Sequence, residues 1–160
     1  MSSKKKKTQD NHAPTIFNRK AKFEYEFLDE YEAGIVLTGT EVKSLRAGKA
    51  NIQDAFADVK DDEVWLHNLY ISEYSQGNIN NHPPKRPRKL LLHKREIQKL
   101  IGTLQQKGLT LVPVRLFFNA KGLVKVIMIV GRGKKAHDKR ADAKDRDWQR
   151  QKSRIMKHDV

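Results

Sequence analysis

The sequence has no cysteine among its 160 residues. Disulfides and thiolate metal sites are therefore excluded, which fits a reducing compartment. Long apolar runs are also missing. The longest, residues 126–130, is far too short to span a bilayer. The start, Met1-Ser2-Ser3-Lys4-Lys5-Lys6-Lys7, is charged but leads into no apolar stretch, so it does not read as a secretory signal. No lipidation site or amphipathic apolar face accompanies it, and no membrane contact is expected. The six histidines are scattered, with no pair four apart, which argues against a zinc site. Gly131-Arg132-Gly133-Lys134 lacks the Gly-x4-Gly-Lys spacing and the following hydroxyl of a nucleotide-binding loop. No catalytic residue, metal or cofactor is assigned.

What is present in excess is positive charge. There are 33 Lys/Arg against 19 Asp/Glu, for a net charge of +14. The excess is segregated. Residues 1–20 carry +5, residues 85–95 carry +6 and residues 131–160 carry +6, so the rest of the chain is slightly acidic. Such concentrated patches supply the counterion release that drives binding to phosphate backbones.

Residues 1–16 are polar and charged and read as a disordered arm. Alternation begins at Phe23-Glu24-Tyr25-Glu26-Phe27, the period of a half-buried strand, and Asp29-Glu30 interrupts it. Residues 33–37 continue as strand, with Gly34 a bulge or tight bend. Residues 40–46 read as a short helix closed by Gly48. Residues 55–59 and 64–71 flank a four-residue polar loop, Lys60-Asp61-Asp62-Glu63, as a hairpin. Residues 72–84 form a loop, and residues 88–92 a short strand. Ile97, Leu100, Ile101 and Leu104 make one apolar helix stripe, which Gly108 would stop. Residues 109–118 and 123–130 form a second hairpin. Pro113 inside it implies an edge position or a bulge. The expected class is mainly β: a small antiparallel OB-type barrel of about six strands with two or three helices at 17–131, between the arm and a basic tail at 132–160. An open α+β sheet is the alternative.

The tail holds 11 Lys/Arg against five Asp and almost nothing apolar, yet Asp142 with Arg146 and Asp147 with Arg150 are spaced for a helix. Such a segment is suited to folding on a polyanionic partner. Trp148 and Ile155, seven apart, would share a helix face, and with Met156 they read as docking residues. Lys85-Arg86-Pro87-Arg88-Lys89 reads as a phosphate-contacting loop against the plainer reading of a solvated one. Asp54, Asp58, Asp61, Asp62 and Glu63 raise a metal-dependent nuclease. The preferred reading places them on a solvated hairpin tip and an exposed strand face.

Several stretches together resemble small protein B, the SsrA (tmRNA)-binding family of bacterial ribosome rescue. They are Asn18-Arg19-Lys20-Ala21, Tyr31-Glu32-Ala33-Gly34, residues 41–51 from Glu41 to Asn51, residues 88–92, and residues 133–140 from Gly133 to Arg140. The resemblance runs from Ile16 to Lys157. It implies an OB-type barrel bound to the tRNA-like domain of tmRNA (SsrA RNA), acting on the stalled 70S ribosome and its rRNA in trans-translation. Elongation factor Tu with alanyl-tmRNA is a further implied partner, the protein a monomer, the location cytoplasmic, and the activity that of a binder, not an enzyme. The implied tmRNA-binding positions are Asn18, Arg19, Lys20, Glu32, Leu91 and Gly133, to which Lys43, Arg46, Arg88, Lys89, Lys134 and Lys135 are added. The family usually shows Lys-Arg where this chain has Arg19-Lys20, so their separate roles stay open. In the tail, His137, Asp138, Lys139, Arg140, Trp148, Ile155 and Met156 map to positions in the decoding centre and the empty mRNA channel, where the tail is helical.

The runner-up is a basic ribosomal or chromatin-type protein without a defined client, and a nuclease is third. A purely electrostatic binder has no need of Glu32 and Leu91. The tail account makes a direct prediction. Proline at Ala143 costs about 3 kcal/mol of helix. Ala143→Pro should therefore abolish tagging of stalled peptides on ribosomes carrying truncated mRNA while leaving tmRNA gel shifts unchanged. Tagging at the normal rate would rule out a helix over residues 134–157.

Overall fold

The computed structural model describes residues 13–134, 144, 146 and 148–150. Two long strands dominate it. β2 (Tyr25–Ile35) and β9 (Val124–Gly133) pair antiparallel along nearly their whole length, and β9 also pairs with β8 (Leu109–Phe118). Around them lie β1 (Ile16–Phe17), β4 (Phe56–Lys60), β5 (Glu63–His67) and β7 (Arg88–Leu91). Hydrogen bonding runs β8-β4-β5-β7-β2-β9 and returns to β8, so six strands close a ring. Closure removes the sheet edges that a free β-sheet would expose. β3 (Ala50–Asn51) and β6 (Tyr70–Ile71) form a small separate pair. Among the described residues, the six-stranded barrel expected from the pattern is present.

Alternation decides what enters the barrel. Tyr31 and Ala33 of β2, Val64 and Leu66 of β5, and Val126, Met128 and Val130 of β9 belong to one buried core. Glu32 and Leu91, which alternate with core residues, face outward and are exposed. α3 (Lys94–Leu104) contributes Leu100, fully buried, with Ile97 and Leu104 packed on the same core. That matches the expected stripe, but the helix ends at Leu104. Gly108, at φ +86°, instead turns the chain into β8.

Four local expectations are corrected. Phe23 and Glu24 are not strand: α1 (Ala21–Glu24) is a helical turn, and β2 starts only at Tyr25. Asp29-Glu30 does not interrupt β2, which absorbs a bulge between Phe27 and Asp29 and continues. Gly34 is not a bulge. It pairs regularly with Leu91, and a Cβ there would meet Leu91 Cβ at 3.3 Å, so its role is close approach. The β4–β5 loop is two residues rather than four. Lys60 pairs with Glu63, and Asp61 and Asp62 both have positive φ, the geometry of a tight hairpin turn. Asn68, also at positive φ, ends that strand pair, so Tyr70 and Ile71 pair with β3 instead. The expectation at Pro113 holds, because β8 shifts register between Pro113 and Arg115.

The largest departure concerns the basic loop. α2 (Gly39–Arg46) starts at a capping box, in which the Thr38 N–H donates to Glu41 Oε1 at 2.9 Å. Glu41 is fully buried, and so is Arg88. Arg88 Nε donates to Glu41 Oε2, and Arg86 Nη2 donates to Glu41 Oε1. Arg88 also donates to the carbonyls of Leu69 (2.5 Å), Arg86 (3.1 Å) and Pro84 (3.0 Å). Arg88 is therefore not a phosphate contact, since its guanidinium is consumed inside the fold.

Burial pushes the Glu41 carboxyl up, but the hydrogen bonds from Arg86, the Thr38 N–H and Arg88 outweigh it and hold the group below its ordinary 4.5. A carboxyl depressed by folding stabilises the native state above the unfolded pKa and loses that contribution as pH falls through the folded one. Removing one partner of a buried pair costs about 3–5 kcal/mol. Arg88→Met should lose that much in urea unfolding at pH 7 and less below about pH 4.5, where Glu41 can protonate. Unchanged stability would contradict the buried pair.

Candidate nucleic-acid interface

The candidate site grows out of the break in β8. Pro113 has no N–H, and the register shift beside it turns two carbonyls away from the ladder. Asn18 takes both: its N–H donates to the Val114 carbonyl (2.8 Å) and its Nδ2 to the Pro113 carbonyl (3.0 Å). Asn18 is 8% exposed, so its position is structural at least in part. It fixes the turn from which Arg19 and Lys20 project, both exposed, and α1 follows directly with Ala21 buried. The end of β9 is tied to the same turn. The Lys134 N–H donates to the Glu24 carbonyl and its Nζ to the Lys22 carbonyl, both at 2.9 Å. Gly133 is exposed beside Tyr25. At Gly131 a Cβ would meet Tyr25 Cβ and Ile129 Cδ1 at 2.9 Å, so the close seating of Tyr25 requires glycine there.

Two clefts adjoin across α1. One, of about 470 Å³, is lined by Arg19, Lys22, Tyr25, Glu26, Phe27, Lys134 and Arg146. The other, of about 580 Å³, is lined by Phe17, Asn18, Arg19, Lys22, Phe27, Glu30, Val114 and Arg115. Phe17 is 53% exposed and Phe27 40%. Cations beside solvent-facing rings form the surface that tracks a phosphate backbone and stacks unpaired bases. The outer face of β2 extends this surface from Glu30 to Glu32 and Gly34, with Leu91 against Gly34. The Glu32 side chain makes no hydrogen bond or ion pair among the described residues.

Other expected residues fall elsewhere. Lys89 is ion-paired with Glu63 at 2.9 Å on the flank of this face. Lys43 and Arg46 are exposed on α2, over the rings of Tyr74 and Phe118. Phe118 pairs with Val124 at the start of β9, and Lys134 follows its end. The strand between spans roughly 30 Å at about 3.3 Å per residue, so Lys43 and Arg46 do not join the α1 clefts. Trp148 is 61% exposed in a helical segment. Lys135, His137, Asp138, Lys139, Arg140, Ile155 and Met156 lie outside the described residues. Phe17, Lys22, Phe27 and Arg115 were not singled out from sequence. The available signal was aromatic and basic residues interleaved from Phe17 to Phe27.

Among the described residues no group of three His, Asp or Glu is placed to hold a metal ion. Asp58 instead accepts a hydrogen bond from His67 at 2.8 Å. No helix among the described residues is long and apolar enough to cross a membrane.

A closed antiparallel barrel with a cationic, aromatic-lined outer face belongs to the class of nucleic-acid-binding barrels. Comparison with known proteins narrows this. The SmpB protein family matches residues 15–158. An SsrA-binding protein of Mesorhizobium japonicum is 55% identical over 152 residues, 95% of this chain and 96% of that one. Another, from Agrobacterium fabrum, is 56% identical over 140 residues, 88% of each. A solved structure described as "tmRNA-SmpB: a journey to the center of the bacterial ribosome" superposes with a TM-score of 0.66 at 54% identity, covering 78% of this chain and 87% of that one. The chain belongs to the SmpB protein family.

Proposed function

We propose that this protein binds the tRNA-like domain of tmRNA and brings it to stalled ribosomes for trans-translation. Family membership and the 54% identical tmRNA–SmpB structure support this reading. The observation that carries it on this chain is the outer stripe on which Glu32 and Leu91 sit beside the α1 clefts. A folded RNA is recognised by shape, backbone contacts and unstacked bases, not by charge alone. Arg19, Lys22, Arg115 and Lys134 hold backbone phosphates, Phe17 and Phe27 offer faces for stacking, and Leu91 gives an apolar contact. Glu32, exposed and without a partner among the described residues, accepts from a base amino group or a 2′-hydroxyl. Lys20 and Gly133 extend the same face, and Lys135, outside the described residues, is assigned to the same RNA. Asn18 acts by fixing the turn.

The tail, residues 132–160, occupies the empty mRNA channel in this reading. His137, Asp138, Lys139 and Arg140 lie at the decoding centre, and Trp148, Ile155 and Met156 dock on the channel wall. The protein acts as a monomer, and alanyl-tmRNA arrives with elongation factor Tu. Both of these points rest on the family resemblance. A ribosomal partner places the work in the cytoplasm. Each role is one of binding, and none demands that the protein break a bond.

The decisive variant is Glu32→Ala. Simple electrostatics says that losing an acid strengthens binding to a polyanion. Specific recognition says the reverse, because an RNA donor is left unsatisfied at about 1–3 kcal/mol. Gel-shift titration with the tRNA-like domain should show weaker binding by that amount. Equal or tighter binding by the variant would remove Glu32 from the interface.

A further inference from the structure

β2 changes face partway along its length. Tyr31 lies opposite Met128 and Asp29 opposite Val130, and both of these β9 residues belong to the core. Residues directly opposite in an antiparallel pair share a face, so Asp29 and Tyr31 point inward. In a regular strand Phe27 would share that face, because side chains alternate with a period of two. It does not. The register passes over Leu28 and sets Phe27 opposite Gly131. The extra residue turns Phe27 outward, where it is 40% exposed. Phe27 then lines both α1 clefts.

Asp29 closes this bulge. Its Oδ1 accepts from the Glu30 N–H at 3.0 Å and its Oδ2 from the Tyr31 hydroxyl at 3.0 Å. Lys99 Nζ of α3 lies 3.1 Å from Oδ2. The hydrogen bond from Lys99 outweighs burial and, with those from Tyr31 and the Glu30 N–H, holds the carboxyl below its ordinary 3.8. Tyr31 is buried in the barrel, so the carboxylate fixes the residue that follows the bulge. The competing register without a bulge sets Leu28 opposite Gly131 and turns Phe27 to the inner side.

We propose that Asp29 is a positioning residue for RNA recognition, which ties the β2 bulge to Tyr31 and α3 so that the Phe27 ring stays in the wall of both α1 clefts. This rests on the reading that the α1 face binds tmRNA. Neither Asp29 nor Lys99 lines either cleft, so their effect on RNA passes through Phe27. Its sign separates this role from that of charge. Removing an acid strengthens electrostatic binding to a polyanion, and removing a cation weakens it together with the salt dependence. Loss of the tie weakens recognition in both cases and leaves the number of phosphate contacts unchanged.

The test uses the full-length protein and two RNAs, the tRNA-like domain of tmRNA and a plain duplex of equal length, each titrated at several salt concentrations. Asp29→Asn should bind the tRNA-like domain about three- to tenfold more weakly, part of what one stacked base contributes. Lys99→Met, at an exposed side chain, carries the same test with less risk to the fold and should lose about two- to threefold. Neither variant should weaken duplex binding, and both should keep the wild-type slope of log affinity against log salt. In a Phe27→Ala background Asp29→Asn should cost less than about twofold. Without RNA, the backbone nuclear Overhauser contact between Phe27 and Gly131 should be lost in Asp29→Asn or replaced by one between Leu28 and Gly131. Equal or tighter binding of the tRNA-like domain by Asp29→Asn overturns the proposal. So does an equal loss in both backgrounds, or a Phe27–Gly131 contact that survives the substitution. A shallower slope with equal losses on both RNAs for Lys99→Met also overturns it, by making Lys99 a plain phosphate contact. If wild type does not prefer the tRNA-like domain to the duplex, the functional reading fails, while the Phe27–Gly131 contact still decides whether Asp29 holds the bulge.

Discussion

A carboxylate with no access to water, Glu41, sets the geometry on which the functional face depends. It caps its own helix through the Thr38 N–H and binds Arg88 and Arg86. Arg88 in turn gathers the carbonyls of Leu69 and Pro84. Nearby, His82 donates from Nε2 to the Ile71 carbonyl at 3.0 Å, so its Nδ1 accepts from the Thr40 hydroxyl at 2.9 Å. These bonds join α2 to the otherwise irregular loop before β7. They also place β7 between β5 and β2, where it completes the ring. Because side chains alternate along a strand, Arg88 and Leu90 pointing inward force Lys89 and Leu91 outward. An interaction inside the barrel thus decides which residue is offered outside it.

The charge of the molecule reads differently once that pair is recognised. Arg86 and Arg88 contribute to the net charge of the sequence, but they neutralise Glu41 and do not form a surface patch. Lys89 is partly offset by Glu63. The cations that converge are those around α1, brought together by the Asn18 contacts with the β8 bulge and by Lys134 at the end of β9. Aromatic rings lie among them, and Glu32, without a partner among the described residues, lies on the neighbouring strand face. This combination separates a reader of folded RNA from a generic cationic surface.

Much of the barrel was legible in the sequence because it depends on local patterns. Period-two alternation marked the beginning of β2, two apolar segments across a short polar turn marked the β8–β9 hairpin, the i, i+3, i+4, i+7 stripe marked α3, and Pro113 marked the bulge. What escaped depends on contacts between distant residues. Asp61-Asp62 looked like part of a longer polar loop because two non-glycine residues at positive φ are uncommon. Glu41 and Arg88 are 47 positions apart, and charged residues are seldom fully buried, so the loop read as solvent-facing. The Thr38-Gly39-Thr40-Glu41 spacing did carry a capping-box signal, but that signal does not reveal the arginines. Asn18 was legible as important through the family resemblance, while its hold on Pro113 and Val114 needed the fold. Arg146 was legible only as a helix-spaced partner of Asp142, while its place over the Phe23 ring needed the fold.

The most direct test of the whole account is the identity of the RNA that the protein carries. The tagged full-length protein would be isolated from its own cells at moderate salt and the bound RNA sequenced. The account predicts one dominant species with a tRNA-like end, a few hundred nucleotides long. It also predicts that this species is depleted in the Glu32→Ala preparation. A mixture of ribosomal and messenger fragments, unchanged by that substitution, would contradict it.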